Sequence, residues 1–157
     1  MAKIPGFLRQ IRVVYETKKT PRSSGQKVTG PQTMVNLFRD LQEETKEKLI
    51  TVSFDDKHKI LCFEVVAIGG KNVGYARPME IFKGSFLTGA TSAVVLHNNL
   101  SGKTKPNIAD IAFTNRMLDA SDTIGLKLLD HIIVGFDGFY SFASQGKLAP
   151  RFQPYPA

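Results

Sequence analysis

Two periodicities alternate along the chain. "IRVVYE" (Ile11–Glu16) is β-branched and alternating, which predicts a strand, and the polar Pro/Gly/Ser stretch "KKTPRSSGQK" (Lys18–Lys27) reads as a link. "GPQTMVNLFRDL" (Gly30–Leu41) carries Pro31 near a helix start and apolar residues at Met34, Leu37, Phe38 and Leu41, a helical spacing. Two strands are predicted next, "EKLITVSFD" (Glu47–Asp55) and "KILCFEVVAIG" (Lys59–Gly69), paired as a hairpin through the turn "DDKH". A short strand "NVGYAR" (Asn72–Arg77) leads to a helix from Pro78 to about Ala90, and "SAVVLH" (Ser92–His97) is continuously apolar, as a strand buried on both faces is. "NIADIAFTNRMLDASDTIG" repeats apolar residues at Ala109, Phe113, Met117, Ala120 and Ile124 and stops at Gly125, a helix with its C-cap. "LKLLDHIIVG" and "FYSFAS" flank "FDG" as a last hairpin, and "APRFQPYPA" is a proline-rich, irregular tail. This order predicts an α/β protein of the α+β mixed-sheet kind, its sheet sandwiched by helices.

Composition sharpens that picture. A chain of 157 residues, 42% of them hydrophobic, is the size of one domain with a real core. The single cysteine, Cys62, cannot form an intrachain disulfide, and one cysteine with three histidines excludes a multi-cysteine zinc site. No run approaches the ~20 apolar residues that span a bilayer, and the first segment lacks a cleavage pattern. A soluble protein in a reducing, intracellular setting is expected.

Charge divides the chain. Seven basic residues in 1–27 (Lys3, Arg9, Arg12, Lys18, Lys19, Arg22 and Lys27) stand against Glu16, so this arm holds +6 of the net +7. The expected organisation is therefore a basic arm with one strand over 1–27, a nearly neutral domain over 28–148 and an irregular tail over 149–157. Arg9, Arg12, Lys18, Lys19 and Arg22 are candidate contacts to nucleic-acid phosphates. A solvated terminus that aids solubility explains the same charges equally well.

The candidate chemistry lies in "AVVLHNNLSGKTKPNIAD" (Ala93–Asp110). His97 and Asn99 are two apart and project to the same side if strand geometry persists, while Asp110 returns from the next helix. Glu64, a charge inside "LCFEVVAI", is a candidate general base, or a residue on the solvated face of an edge strand. Asn107 followed three residues later by Asp110 resembles a capping box, and a strand-terminal histidine is more often structural than ligating. On spacing alone the bland readings lead.

A family resemblance shifts that balance. "FEVVAIGGKNVGYARPMEIFKGSFLTGATSAVVLHNNLSG" and "LLDHIIVGFDGFYSFAS" are similar to the blocks of the RadC-type JAB/MPN domain, over roughly Val28 to Leu148. The resemblance implies a JAB/MPN, cytidine deaminase-like fold. It also implies a metal motif: a distant Glu, then His-x-His-Pro, six residues, Ser, two residues and Asp. In the family two histidines and the aspartate bind zinc, the glutamate is the base and the serine steadies the oxyanion. By position Glu64 matches the base, and His97 and Asp110 match two ligands. Asn99 stands at the second histidine, Leu100 at the proline and Asn107 at the serine.

These departures have chemical consequences. An amide oxygen is a far poorer zinc ligand than imidazole, so Zn2+ is expected to be weakly bound or absent, and Mg2+ or Mn2+ becomes conceivable for the oxygen-rich set Glu64, His97, Asn99 and Asp110. Asn107 keeps the cap and brings an NH2 that could donate to an oxyanion. His131 is not expected to replace the lost ligand, because the family carries it beside an intact motif. Two expectations compete: a JAB-domain pseudoenzyme that binds DNA or a protein partner, with a link to DNA repair, and a metal-dependent hydrolase or metallopeptidase using Glu64 at a non-standard site. Whether the chain is an enzyme stays open. The family resemblance implies a cytoplasmic home and no membrane contact.

Overall fold

The computed structural model describes residues 10–14, 27–69 and 76–148. Its elements run α1 (Pro31–Leu37), a 3-10 turn (Arg39–Glu43), β1 (Lys48–Phe54), β2 (Ile60–Ile68), α2 (Pro78–Thr88), β3 (Ser92–Asn98), α3 (Ile108–Ile124), β4 (Lys127–Val134) and β5 (Phe139–Ser141). The five strands form one mixed sheet in the order β2-β1-β3-β4-β5. β1 and β2 form the expected antiparallel hairpin. Its turn is closed by the Asp55 carboxylate, which accepts from the backbone N–H of Lys57 and of Lys59, both at 2.8 Å. His58 takes the left-handed conformation, φ 58°, that this tight turn demands. β3 and β4 are parallel, and α3 is the crossover between them.

The pleat sorts the apolar residues to two sides. Ile50, Val52, Phe54, Val94, Leu96 and Ile132 pack with Met34, Val35, Phe38 and Leu41 in the layer under α1. Leu49, Ala93, Val95 and Leu128 pack with Ile81 and Phe82 of α2 and with Phe113 and Met117 of α3. Every residue of β3 is buried, as its unbroken apolar run predicts. A 2.8 Å hydrogen bond between the Ser53 and Ser85 hydroxyls joins β1 to α2 within this second layer.

Three expectations about the elements change. The helix predicted through Leu41 ends at Leu37, and a 3-10 turn follows. Phe38 and Leu41 are three residues apart, and the 3.0 Å bond from Leu41 N–H to the Phe38 carbonyl buries both in a tighter turn than an α-helix. The strand predicted at Ile11–Glu16 does not form over its described part, Ile11–Val14, where Ile11 and Val14 are exposed. A strand needs a neighbour for its N–H and C=O groups, and among the described residues none pairs with this segment. The last two residues of "NVGYAR", Ala76 and Arg77, are not in a strand. The remainder of that stretch, the rest of the basic arm apart from residues 10–14 and 27, and the tail over 149–157 lie outside the described residues.

Candidate functional site

The site forms where the C-terminal end of β3 meets the start of α3. Asn107 caps that helix: its side-chain oxygen accepts from Asp110 N–H and the Asp110 carboxylate accepts from Asn107 N–H, each at 2.8 Å. The capping box therefore forms as its spacing predicts, and it aims the second oxygen of Asp110 back at β3. There the Asp110 Oδ1 lies 3.4 Å from His97 Nε2. Two neutral donors' worth of geometry is set by one short motif.

That distance has chemical meaning. Ligand atoms about 2.0–2.1 Å from a tetrahedral zinc are separated by roughly 3.4 Å, so His97 and Asp110 stand at the bite of such an ion. The other expected ligands do not join them. β3 ends at Asn98, and the chain turns: Asn99 N–H bonds to the Val134 carbonyl at 2.9 Å, and the Asn99 side-chain oxygen accepts from Ser101 N–H at 3.0 Å. The oxygen expected to replace imidazole is thus committed to an Asx turn. The neighbouring Asn98 is buried and serves structure, accepting from Lys48 N–H at 2.7 Å and donating to the Lys46 carbonyl at 3.1 Å.

Glu64 lies on the same face of the sheet but apart from this pair. It is opposite Thr51, which is opposite Val95, whereas His97 lies two residues further on and faces Leu49. On edge strand β2 its carboxylate meets the Lys83 ammonium at 3.3 Å. Gly84 makes room for that carboxylate, since a Cβ there would come within 2.9 Å of it. The edge-strand reading of Glu64 thus matches its surroundings. Among the described residues no group of three or more His, Cys, Asp or Glu side chains could hold a metal ion. A catalytic zinc takes three protein ligands, so this donor set, with two, does not fit one. His58, expected in a turn, is in the β1–β2 turn.

His131 and Thr114 complete the site, and spacing did not single them out. His131 is fully buried on β4, with Nε2 at 2.9 Å from His97 Nδ1 and Nδ1 at 2.7 Å from the Thr114 hydroxyl. Its ring stacks on Phe142 at 4.9 Å and meets the edge of Phe113 at 5.3 Å. Both ring nitrogens are occupied, so His131 orients His97 instead of replacing a ligand. Burial, chiefly, and then the charge on His97 push the His131 imidazole well below the ordinary histidine range, although Asp110 opposes this. For Asp110 partial burial is the largest single influence and raises its pKa, yet the bonds from His97 and from Asn107 N–H, with the charge of His97, bring the net shift below the ordinary range. The signal for Thr114 was its place four residues after Asp110, on one helix face. His131 needed the β3–β4 register, which sets it beside Val95.

Behind His131, Asp130 is fully buried and accepts from the Ser141 hydroxyl at 2.5 Å and from Ala143 N–H at 2.9 Å. Phe142, between those two anchors, donates its own N–H to the His131 carbonyl at 3.1 Å. The "LLDH" and "YSFAS" blocks are therefore one unit, whose polar groups hold an aromatic ring against the imidazole.

A mixed sheet between helices, with this histidine and aspartate at the end of its central strand, defines a JAB-type domain. The family model for the RadC-like JAB domain matches residues 28–147, and the chain belongs to that family. A UPF0758 protein of Chlorobium phaeovibrioides is 33% identical over 149 residues, covering 92% of this chain and 67% of that protein. A UPF0758 protein of Methanosarcina barkeri is 36% identical over 121 residues, covering 76% of this chain and 53% of that protein. The chain thus spans about half the length of several of these relatives. Among the described residues no helix is long and apolar enough to cross a membrane.

Proposed function

We propose that this RadC-like JAB domain has lost the zinc hydrolase chemistry its resemblance implies and acts by binding, with DNA as the partner of its basic arm and a role connected to DNA repair in the cytoplasm. One observation carries the loss of chemistry: the Asn99 oxygen is bonded to Ser101 N–H, leaving only His97 and Asp110 converging. With Glu64 paired to Lys83, a water at that pair has no adjacent base. Zn2+, Mg2+ or Mn2+ held by two side chains alone exchanges readily with solvent. The metal content of purified protein beside an Asn99→His variant is the test. Stoichiometric zinc in the unmodified protein sinks the proposal; zinc in the variant alone supports it.

The DNA-binding part rests on charge, since residues 1–27 hold +6 of the net +7. Arg12, the one proposed contact among the described residues, is exposed. Affinity for duplex DNA should fall steeply with salt and be lost when the arm is deleted. Binding unchanged by deletion refutes the arm's role, and a protein partner then becomes the better reading. One observation favours a working hydrolase as the second reading, the 3.4 Å bite of His97 and Asp110. Peptidase activity that a chelator removes and Glu64→Gln abolishes would establish it.

A further inference from the structure

The ligand that remains is held more firmly than a solvated remnant would be. His97 is buried, and a chain of contacts runs from its Nδ1 through His131 and Thr114 to the first turn of α3. Direction along this chain follows from its far end. The Thr114 hydroxyl donates its single hydrogen to the Asp110 carbonyl at 2.8 Å, four residues back along the helix. Toward His131 Nδ1, at 2.7 Å, the same oxygen is then an acceptor, so the proton sits on Nδ1. In an imidazole carrying one proton, Nε2 is left as a lone pair, and the hydrogen on the 2.9 Å contact must come from His97 Nδ1. The last nitrogen, His97 Nε2, is left bare and faces Asp110 Oδ1.

We infer that Thr114 and His131 are positioning residues that hold His97 in its Nδ1–H tautomer, keeping the Nε2 lone pair turned toward Asp110. The arrangement is over-determined. Phe142 stacks on His131 with an interplanar angle of 7°, Phe113 meets its edge, and the Phe142 N–H fixes the backbone, so the imidazole cannot rotate to exchange its nitrogens. Thr114 is itself buried, which keeps water from substituting for its hydroxyl. A partner on the non-ligating nitrogen is what orients a histidine toward a cation, and changing such a partner typically costs 10–100-fold in metal affinity. Here that second layer persists although the second histidine ligand has become Asn99. His97 is therefore presented as an acceptor whether or not a metal resides beside it.

The test reads tautomers directly. In the 15N-labelled full chain at mildly alkaline pH, long-range 1H–15N correlations report which ring nitrogen carries the proton, with His58→Gln assigning the third histidine. His97 and His131 are both expected to show the Nδ1–H pattern, the reverse of free imidazole's preference. Thr114→Val removes the acceptor at nearly constant shape, and both rings should then revert to Nε2–H; Thr114→Ser should restore the native pattern. An Nε2–H pattern for either ring in the unmodified protein overturns the inference, as does an unchanged pattern in folded Thr114→Val. If Thr114→Val fails to fold, the native spectrum still decides. A second readout uses Zn2+ as the probe: in the Asn99→His background, Thr114→Val should weaken zinc binding about 10–100-fold and Thr114→Ser should restore it. Because the tautomer pattern is read without metal, zinc in the unmodified protein would defeat the proposed loss of chemistry while leaving this inference standing.

Discussion

The two sides of the candidate site have fared differently. On the β4–β5 side, Asp130, His131, Ser141 and Thr114 are each buried and hydrogen-bonded, and Phe113 and Phe142 pack against the imidazole. On the other side, Asn99 has turned to its own loop and Glu64 to a lysine near the surface. The difference follows from what each side is attached to. Ligand positions facing solvent can be exchanged at little cost to folding, whereas a buried polar network whose members satisfy one another cannot lose one without stranding the rest. A JAB domain can thus shed its chemistry at the mouth of the site while its interior keeps the family arrangement.

This contrast can be broken by measuring stability on both sides. The largest effect is expected for Asp130→Ala, which leaves the Ser141 hydroxyl and Ala143 N–H without their acceptor inside the core. A loss on the order of 3 kcal/mol in urea unfolding is expected. A loss below ~1 kcal/mol would remove the basis of the comparison.

Acid should act first through His131. Its folded pKa lies well below the model value of 6.5, so as pH falls through that value the unfolded chain takes up a proton that the folded chain refuses. Stability is then lost on acidification, by up to about 1.4 kcal/mol per pH unit for one proton, until the folded pKa is reached. Asp110 adds a second loss at lower pH: its folded pKa is depressed below the model value of 3.8, so its contribution is present above that pH and fades as pH falls through the folded pKa. Stability followed against pH in His131→Gln should lose the first slope and keep the second. An unchanged slope below neutrality would show that the imidazole is not the group concerned.

Asn107→Ala should cost about 1 kcal/mol, the usual value of an N-cap, and it also frees the Asp110 carboxylate from half of its box. Thermal melts of Asn107→Ala beside Asn107→Ser separate the two roles: the Ser variant should regain the cap. Glu64→Gln should be the mildest, within ~0.5 kcal/mol, because its Lys83 partner is largely exposed and such pairs contribute little. A Glu64 change costing more than the Asp130 change would invert the comparison between the two sides.

How much of this was legible beforehand depended on the range of the interaction. The β1–β2 hairpin, α2, α3 with its Asn107–Asp110 box and Gly125 end, and the buried run of β3 all follow from patterns within a few residues. The end of α1 did not, because Phe38 and Leu41 satisfy a helical spacing and a 3-10 turn equally, and only packing beneath the sheet chose between them. Glu64 looked like a base because a charge in an apolar run needs a partner; Lys83, nineteen residues away on a different element, is one that no local pattern announces.

By itself, then, the sequence determined the elements, the family and the identity of the changed ligand, since periodicity, caps and motif spacing are local properties of the chain. Only tertiary structure decided that His97 and Asp110 meet at 3.4 Å, that Asn99 turns aside, and that His131, thirty-four residues from His97, becomes its neighbour through parallel pairing of β3 with β4. Hydrogen bonds act over about 3 Å. Which groups come that close is settled by strand register and helix packing, which depend on the whole chain at once.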